Sequence, residues 1–186
     1  MDLNGKCVLL GVTGGIAAYK MANVASALRK LGADVEVIMT RNATQFITPI
    51  TFETLTGHKC MVDTFDRNFS HQVEHIALAD RTDLVIVAPA TANVCAKLAH
   101  GLADDMLTTT VMATKAPVLL APSMNEGMLT SSAFVRNLAL LRETGVSVVD
   151  GDSGFLACGD NGRGRMAEPE SICEAVCRIR SPFWDK

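Results

Sequence analysis

The sequence stretch with the most unusual chemistry is SGFLACGDNGRGRMAEP, residues 153–169, which places a thiol, Cys158, among four glycines. A glycine inside a helix or strand costs roughly 0.5–1 kcal/mol relative to alanine, so this density of glycines argues against regular structure. Arg163 and Arg165 stand between the glycines, where they could anchor the segment or meet a ligand phosphate, but arginines in loops are often solvated, and we assign them no catalytic role from sequence. The stretch therefore predicts a flexible loop that carries a thiol.

Two histidines stand in HQVEH, residues 71–75, which matches the H-x-x-E-H pattern of inverted zinc peptidases. That site needs a long helix to align two imidazoles and a further carboxylate ligand. Here the segment runs into a predicted strand within ten residues, so we interpret the match as chance and predict no metal site. His75 itself stands at a predicted helix start, where it either fills a structural position or faces a ligand crevice.

The segment GVTGGIAAYK, residues 11–20, opens a predicted helix with a glycine turn, but it matches neither G-x-G-x-x-G nor the P-loop pattern. The N–H groups of Gly14, Gly15 and Ile16 could hold a phosphate at the helix start, or the turn could bind nothing. Ligands of doubly wound folds bind beyond the carboxyl ends of the strands. We predict a crevice there because polar, turn-forming residues also follow other predicted strands, at Thr40, PATAN (89–93) and PSMNEGM (122–128).

Short β-rich runs alternate with longer helical runs along the chain. This alternation predicts an α/β fold, in which a single doubly wound, Rossmann-like (flavodoxin-like) domain has a parallel sheet with helices on both faces. We find no linker, low-complexity tract or repeat, so one domain is predicted over residues 1–186. The predicted strands are 6–12, 34–40, 83–90, 116–123 and 146–150, and the predicted helices are 15–32, a short one near 41–47, 91–100, 103–114, 131–144 and one after Glu168.

Composition narrows the setting further. The formal net charge of −3 gives no support to a nucleic-acid partner. No apolar run approaches the roughly 18 residues that a membrane span requires. The N-terminal CVLLGVTGGIAAY imitates a signal peptide, but Asp2 stands where such a peptide is positively charged, so a cytoplasmic location is expected. The six cysteines include no C-x-x-C pair and are expected to be reduced and mostly buried.

In order and spacing, GVTGGIAAYK, His75, PATAN with GLADD, PSMNEGM and ACGDNGRGRM resemble the flavin-containing cysteine decarboxylase family. The resemblance extends to about residue 170 of the chain. Its best match is the branch that decarboxylates 4'-phosphopantothenoylcysteine in coenzyme A biosynthesis. One departure is Leu129, which replaces the tryptophan of the family's P-x-M-N-x-x-M-W and leaves the shape of the substrate pocket open.

The resemblance implies FMN as cofactor and assembly as a homotrimer or a tetramer of trimers, with FMN near a subunit interface. It implies His75 as a base and Cys158 as a proton donor on a substrate flap at about residues 153–167. It further implies that Asn125, with Met124 and Met128, binds the substrate. The implied cofactor-binding residues are Gly14, Gly15, Ile16, Ala17, Thr40, Pro89, Ala90, Thr91, Ala92, Asn93 and Asp105.

Three alternatives share parts of this pattern. A peptidyl-cysteine decarboxylase of peptide-antibiotic maturation needs no reducing cysteine, so ACGDNGRGRM argues against it. A flavin prenyltransferase lacks the paired PSMN and cysteine motifs. A non-catalytic, FMN-binding regulatory subunit would not need His75, Asn125 and Cys158 together. Bacterial members are often fused to a synthetase domain, so the chain is expected to be either a stand-alone protein or part of such a fusion.

Overall fold

The computed structural model describes residues 2–66, 74–151, 153–155 and 161–179. A parallel sheet with the strand order β2-β1-β3-β4-β5 forms its centre. The predicted doubly wound parallel sheet is therefore confirmed, although the fifth strand is two residues long where the sequence predicted five. The strands are β1 (Cys7–Val12), β2 (Asp34–Met39), β3 (Leu84–Ala90), β4 (Val118–Pro122) and β5 (Ser147–Val148).

Helices connect these strands. The predicted first helix begins as a 3-10 turn, Ile16–Lys20, and the predicted short helix near 41–47 is a 3-10 turn over Ala43–Gln45. The α-helices are α1 (Met21–Lys30), α2 (Pro49–Thr56), α3 (Glu74–Arg81), α4 (Ala92–His100), α5 (Met106–Ala113), α6 (Glu126–Leu129), α7 (Ser132–Glu143) and α8 (Pro169–Arg178).

Two of these helices, α2 and α6, lie where the sequence analysis predicted none. In α2 only Phe52 and Thr56 are buried, so the helix lacks the apolar stripe by which amphipathic helices are recognised. Its boundaries carry the local signal instead: Pro49 is at the first helical turn, and Gly57 ends the helix in the left-handed region at φ 78°. Helix α6 is a single turn and is too short to show a period.

The two faces of the sheet pack against different helices. In β1, Val8, Leu10 and Val12 point into a core shared with α1 and α8, whereas Leu9 points into a second core shared with α3, α4, α5 and α7. All six residues of β1 are buried, as expected of a central strand covered on both faces. Since β2 and β3 lie on opposite sides of β1, the connections after β1 and β3 lead to opposite faces and leave a crevice between them.

A small antiparallel hairpin lies within the predicted flap. Its strands are β6 (Gly154–Phe155) and β7 (Asn161–Gly162), and residues 156–160, including Cys158, lie outside the described residues. The expectation that this stretch contains no strand is therefore wrong at four positions. Gly154 and Gly162 face each other across the pair, and the missing side chain at Gly154 leaves space that Arg165 occupies.

The described cysteines are free thiols. Cys7, Cys60 and Cys95 are buried, and Cys173 and Cys177 are half-buried on α8. Burial raises the pKa of Cys7, Cys60 and Cys95 to about 12, so these thiols stay protonated and weakly nucleophilic at neutral pH. The expectation of reduced, mostly buried cysteines is confirmed for these three. Among the described helices, none has both the length and the apolar character to cross a bilayer.

The turn after β1 packs tightly against the turn after β2. A Cβ atom added at Gly14 would lie 2.4 Å from Asn42 Cβ and 3.0 Å from the Asn42 carbonyl carbon, whereas at Gly15 the nearest atom is Pro89 Cγ at 3.5 Å. We predict that Gly14→Ala lowers the free energy of unfolding by about 1–3 kcal/mol, because the added methyl group would force the backbone at Asn42 to move. Gly15→Ala should change it by less than about 0.5 kcal/mol.

Urea denaturation followed by circular dichroism measures both variants under the same conditions. The Gly15 variant is the matched control, because it adds the same methyl group one residue away in ordinary van der Waals contact. A Gly14→Ala protein as stable as the parent would show that the two turns separate at little cost and would contradict the close packing.

Candidate active site

One cavity of about 970 Å³ lies at the carboxyl edge of the sheet, with walls from the segments that follow β1, β2, β3 and β4. Ligand-binding pockets typically enclose roughly 300–1,000 Å³, so this cavity is at the upper end of that range. It lies where the sequence predicted a crevice. Among the predicted site residues, those that line it are Gly14, Gly15, Ile16, Ala17, Thr40, Thr91, Ala92, Asn93, Asp105, Met124, Asn125 and Met128.

Two predicted cofactor residues, Pro89 and Ala90, lie behind the cavity wall. Both are buried at the end of β3 and neither lines the cavity. The Pro89 carbonyl oxygen accepts a hydrogen bond from the buried hydroxyl of Thr13, which in turn accepts one from the Thr91 N–H at 3.2 Å. Pro89 and Ala90 therefore shape the wall, and direct ligand contact from this motif falls to Thr91, Ala92 and Asn93.

In the glycine turn after β1, one of the three N–H groups predicted to bind an anion is used within the turn. The Gly15 N–H donates to the Thr13 carbonyl oxygen at 2.9 Å, so that donor serves the turn itself. The hypothesis of anion binding then depends on the N–H groups of Gly14 and Ile16. The turn continues as the 3-10 helix that ends at Lys20, and Lys20 also lines the cavity.

Asn125 stands at the exposed start of α6. Its side-chain Oδ1 caps the helix by accepting a hydrogen bond from the Gly127 N–H at 2.8 Å. This cap orients the side-chain amide, whose N–H₂ group is a donor suited to a carboxylate ligand. The preceding residue, Met124, donates its N–H to the carbonyl oxygen of Gly164 at 3.0 Å. The strand-end loop that carries Asn125 is thus joined to the base of the flap.

Lys97, on α4, forms ion pairs with two carboxylates at the cavity wall, at 2.6 Å to Asp104 and 2.8 Å to Asp105. Asp105 also caps α5, because its Oδ1 accepts from the Thr108 N–H at 2.9 Å. Burial alone would raise the pKa of Asp105, but hydrogen bonds from Lys97 and Thr108 outweigh it and hold the pKa below the ordinary 3.8. The predicted site residue Asp105 therefore has a clear structural role that joins α4 to α5.

His75 does not line the cavity. It is half-buried in the first turn of α3. This helix packs against α5, and its buried residues are Leu78 and Ala79. At the other end of α3, Arg81 forms an ion pair with Glu36 of β2. His58 Nδ1 lies 2.7 Å from the same carboxylate. The described residues therefore bring Asn125 to the cavity without His75, and Cys158 lies outside the described residues.

Several charged lining residues were not recognised from sequence. Lys20, Arg41, Lys97 and Arg165 all line the cavity, and three of them pair with carboxylates at least seven residues away in the chain. Such pairs leave no local sequence signal. Arg165 does have a local signal, because it stands among the flap glycines, but the sequence does not distinguish a solvated arginine from one that lines a cavity.

The capping carboxylate gives a pH-dependent prediction. Because the folded-state pKa of Asp105 is depressed, its stabilisation is complete above pH 3.8 and is lost as the pH falls through the folded pKa. We predict that Asp105→Asn lowers the free energy of unfolding by about 1–2 kcal/mol at pH 7 and that the deficit shrinks below about pH 4. Urea titrations of both proteins at several pH values measure this difference.

Asp104→Asn is the matched control, since Asp104 binds the same lysine but its side chain is 68% exposed. Asp104→Asn should lower the free energy of unfolding by less than about 0.5 kcal/mol, because exposed ion pairs contribute little to stability. Equal deficits for the two variants, or a deficit of Asp105→Asn that does not change with pH, would contradict the assignment.

Proteins of known structure with the same fold help to place this cavity. A PPC decarboxylase, solved as a cysteine-to-serine variant complexed with pantothenoylaminoethenethiol, is 29% identical and superposes with a TM-score of 0.83 over 97% of this chain and 99% of its own. The FMN-dependent cysteine decarboxylase SpaF is 32% identical, with a TM-score of 0.80 over 94% of this chain and 99% of its own.

Sequence relatives agree with this likeness. The coenzyme A biosynthesis bifunctional protein CoaBC of Bacillus subtilis is 49% identical over 170 residues, which are 91% of this chain but 42% of that protein. The chain thus spans less than half the length of the curated relatives it matches. Residues 1–181 match the Flavoprotein family, and with a cavity at the expected sheet edge the chain belongs to that family.

Proposed function

We propose that this chain binds FMN in the cavity at the sheet edge and catalyses the decarboxylation of 4'-phosphopantothenoylcysteine to 4'-phosphopantetheine, a step of coenzyme A biosynthesis. The observation that carries the proposal is the meeting of the glycine turn, the PATAN motif and the PSMN motif in one cavity. The likeness to PPC decarboxylase over nearly the full length of both chains supports it. A cytoplasmic location is part of the proposal.

The residues of the cavity fit a flavin nucleotide. Gly14 and Ile16 line the cavity at the start of the helical turn after β1, where backbone N–H groups are suited to a phosphate. Thr40, Thr91 and Asn93 add hydroxyl and amide groups for the polar parts of the cofactor. Apolar lining residues that are suited to an aromatic ring include Ile16, Ala17, Met124 and Met128.

The proposed chemistry solves one electronic problem. An amino-acid carboxylate leaves as CO₂ only if the electron pair of the broken bond has an acceptor. Oxidation of the cysteinyl CH₂–SH to a thioaldehyde places a C=S group β to the carboxylate, and this group takes up the pair to give an enethiol. When bound, FMN supplies the hydride acceptor for that oxidation and the hydride for the final reduction to the saturated thiol.

The protein residues bind the substrate and move protons. Asn125 is proposed to hold the substrate carboxylate through its side-chain amide, oriented by the α6 cap. His75 is proposed to take the thiol proton, since imidazoles serve as general bases at neutral pH, where a free thiol with a pKa of about 8.5 is mostly protonated. Cys158 is proposed to protonate carbon in the final reduction, on a flap that excludes water when it closes.

One competing activity has a specific observation in its favour. SpaF is named an FMN-dependent cysteine decarboxylase, and it shares 32% identity with this chain. A peptidyl-cysteine decarboxylase stops at the enethiol, whereas the ACGDNGRGRM segment suits an enzyme that completes the reduction. CO₂ release from 4'-phosphopantothenoylcysteine, measured beside release from a peptide ending in cysteine, separates the two activities. A non-catalytic regulatory subunit would release CO₂ from neither.

The position of His75 bears on assembly. His75 does not line the cavity of its own chain, so the proposed base for that cavity must come from another subunit. We propose that the protein forms a homotrimer, or a tetramer of such trimers, in which His75 of one subunit serves the cavity of its neighbour. Exposed apolar residues at the cavity support a covering surface, because Ile16, Tyr19 and Phe65 line it and are 56%, 58% and 88% exposed.

The proposed roles predict that the two halves of the reaction can be separated. His75→Asn and Asn125→Asp should abolish CO₂ release or slow it at least about 100-fold, because both residues act before the carbon–carbon bond breaks. Cys158→Ser should still release CO₂ but accumulate the enethiol, because its proton is needed only afterwards. Mass spectrometry distinguishes the products, since the enethiol is two hydrogen atoms lighter than 4'-phosphopantetheine.

The outcome for Cys158→Ser is decisive in two ways. Normal amounts of saturated product would remove the proton-donor role. Failure to release CO₂ from a folded, FMN-loaded variant would place Cys158 earlier in the reaction.

Mixing of inactive variants tests the shared site. If His75 and Asn125 of one site come from different subunits, subunits of His75→Asn and Asn125→Asp that are unfolded together and reassembled should regain activity. Random pairing gives about a quarter of the sites both native residues. If both residues come from the same chain, the mixture stays as inactive as the separate variants, and the proposed division of the site is wrong. Sedimentation analysis of the mixture confirms that the oligomer has reformed.

A further inference from the structure

The basic side chains that line the cavity are neutralised unequally. Arg41 pairs with one carboxylate, Asp63, at 2.8 Å, and Lys97 pairs with both Asp104 and Asp105. At the base of the flap, two cations, Lys20 and Arg165, share the single carboxylate of Glu168. Among the described residues, the excess of positive charge at the cavity wall is therefore at Lys20 and Arg165.

The position of Arg165 is fixed by its neighbours. A Cβ atom added at Gly154 would lie 2.7 Å from Arg165 Nη1 and 3.1 Å from its Cδ, so the side chain packs directly over the β6 backbone. Gly164 has φ 117°, and a Cβ atom there would lie 2.1 Å from the Met124 carbonyl oxygen. Gly164 is thus packed against the loop that carries Asn125, and the adjacent Arg165 lines the same cavity as that loop.

Glu168 fixes the orientation of the guanidinium. Arg165 Nη2 donates to Glu168 Oε1 at 2.8 Å, and Lys20 Nζ contacts both carboxylate oxygens at 2.8 and 2.7 Å. The hydrogen bond from Lys20, assisted by Arg165, holds the pKa of Glu168 below its ordinary value of 4.5, so the carboxylate is ionised at neutral pH. A guanidinium has five N–H donors, so this bond to Glu168 orients the group and occupies a minority of its donors.

An oriented guanidinium at a part of the cavity wall where two cations share one carboxylate is suited to a phosphate group, which it can bind through two parallel hydrogen bonds. We propose that Arg165, positioned by Glu168, binds a phosphate monoester in this cavity. The inference deepens the proposed function, in which both the cofactor and the substrate carry such a group. It assigns Arg165 a ligand-binding role that the flap motif by itself does not specify.

The experiment compares each phosphorylated ligand with its dephosphorylated form. Binding of FMN and riboflavin to the apoprotein is measured by flavin fluorescence, and KM is measured for 4'-phosphopantothenoylcysteine and for pantothenoylcysteine. Arg165→Gln should weaken one phosphorylated ligand about tenfold or more, the effect of losing a charge-assisted hydrogen bond, and leave its dephosphorylated partner unchanged. A loss confined to FMN assigns the cofactor phosphate, and one confined to the phosphorylated substrate assigns the substrate phosphate.

Arg163→Gln is the matched control, because it removes the same charge two residues earlier, at an exposed position outside the cavity lining. It should change neither comparison more than about twofold, the size expected of a screened surface charge. The proposal is overturned if Arg165→Gln affects phosphorylated and dephosphorylated ligands equally, affects none of them, or matches Arg163→Gln. If the parent protein decarboxylates neither substrate, the proposed function fails, while the comparison of FMN with riboflavin still tests Arg165.

Discussion

The buried hydroxyl of Thr13 is the contact on which the geometry of the cavity depends. It donates to the Pro89 carbonyl oxygen and accepts from the Thr91 N–H, and the Thr91 hydroxyl in turn caps α4. One side chain thus joins the end of β1 to the end of β3, the two neighbouring strands whose connections lead to opposite faces of the sheet. Because Thr13 is fully buried, loss of this hydroxyl would leave the buried Pro89 carbonyl oxygen without this partner, at a cost of about 1–3 kcal/mol.

The balance of positive and negative side chains differs between the two sides of the cavity. On the α4 side, Lys97 is outnumbered by the two aspartates that bind it, and one of them also caps α5. At the flap base, two cations share Glu168. A ligand with anionic and neutral ends therefore meets different potentials at the two sides, and its orientation is set before any contact with the reacting groups.

The sequence predicted the sheet more completely than the site. Buried parallel strands are aliphatic runs such as LVIVAPA, whose composition is visible without coordinates. Helix α2 was missed because its burial is confined to Phe52 and Thr56. The motifs identified most of the cavity lining, but a linear motif does not distinguish Pro89, whose carbonyl faces Thr13, from Thr91, which faces the cavity. Pairing of Lys20 with Glu168 across 148 positions is a property of the fold alone.

The place of His75 follows from how α3 is held. Arg81 at one end binds the buried Glu36, and Thr114 donates to the Ala79 carbonyl oxygen at 3.0 Å, so the helix is fixed to β2 and to the segment after α5. If His75 is the base, as proposed, its place on a fixed helix outside the cavity lining favours access to the cavity of a neighbouring subunit over movement of α3. Exposed apolar residues that line the cavity, such as Phe65, are consistent with that proposal, because a subunit contact that buried them would be stabilised. Assembly and catalysis would then depend on the same surface, and a change that weakens one should weaken the other.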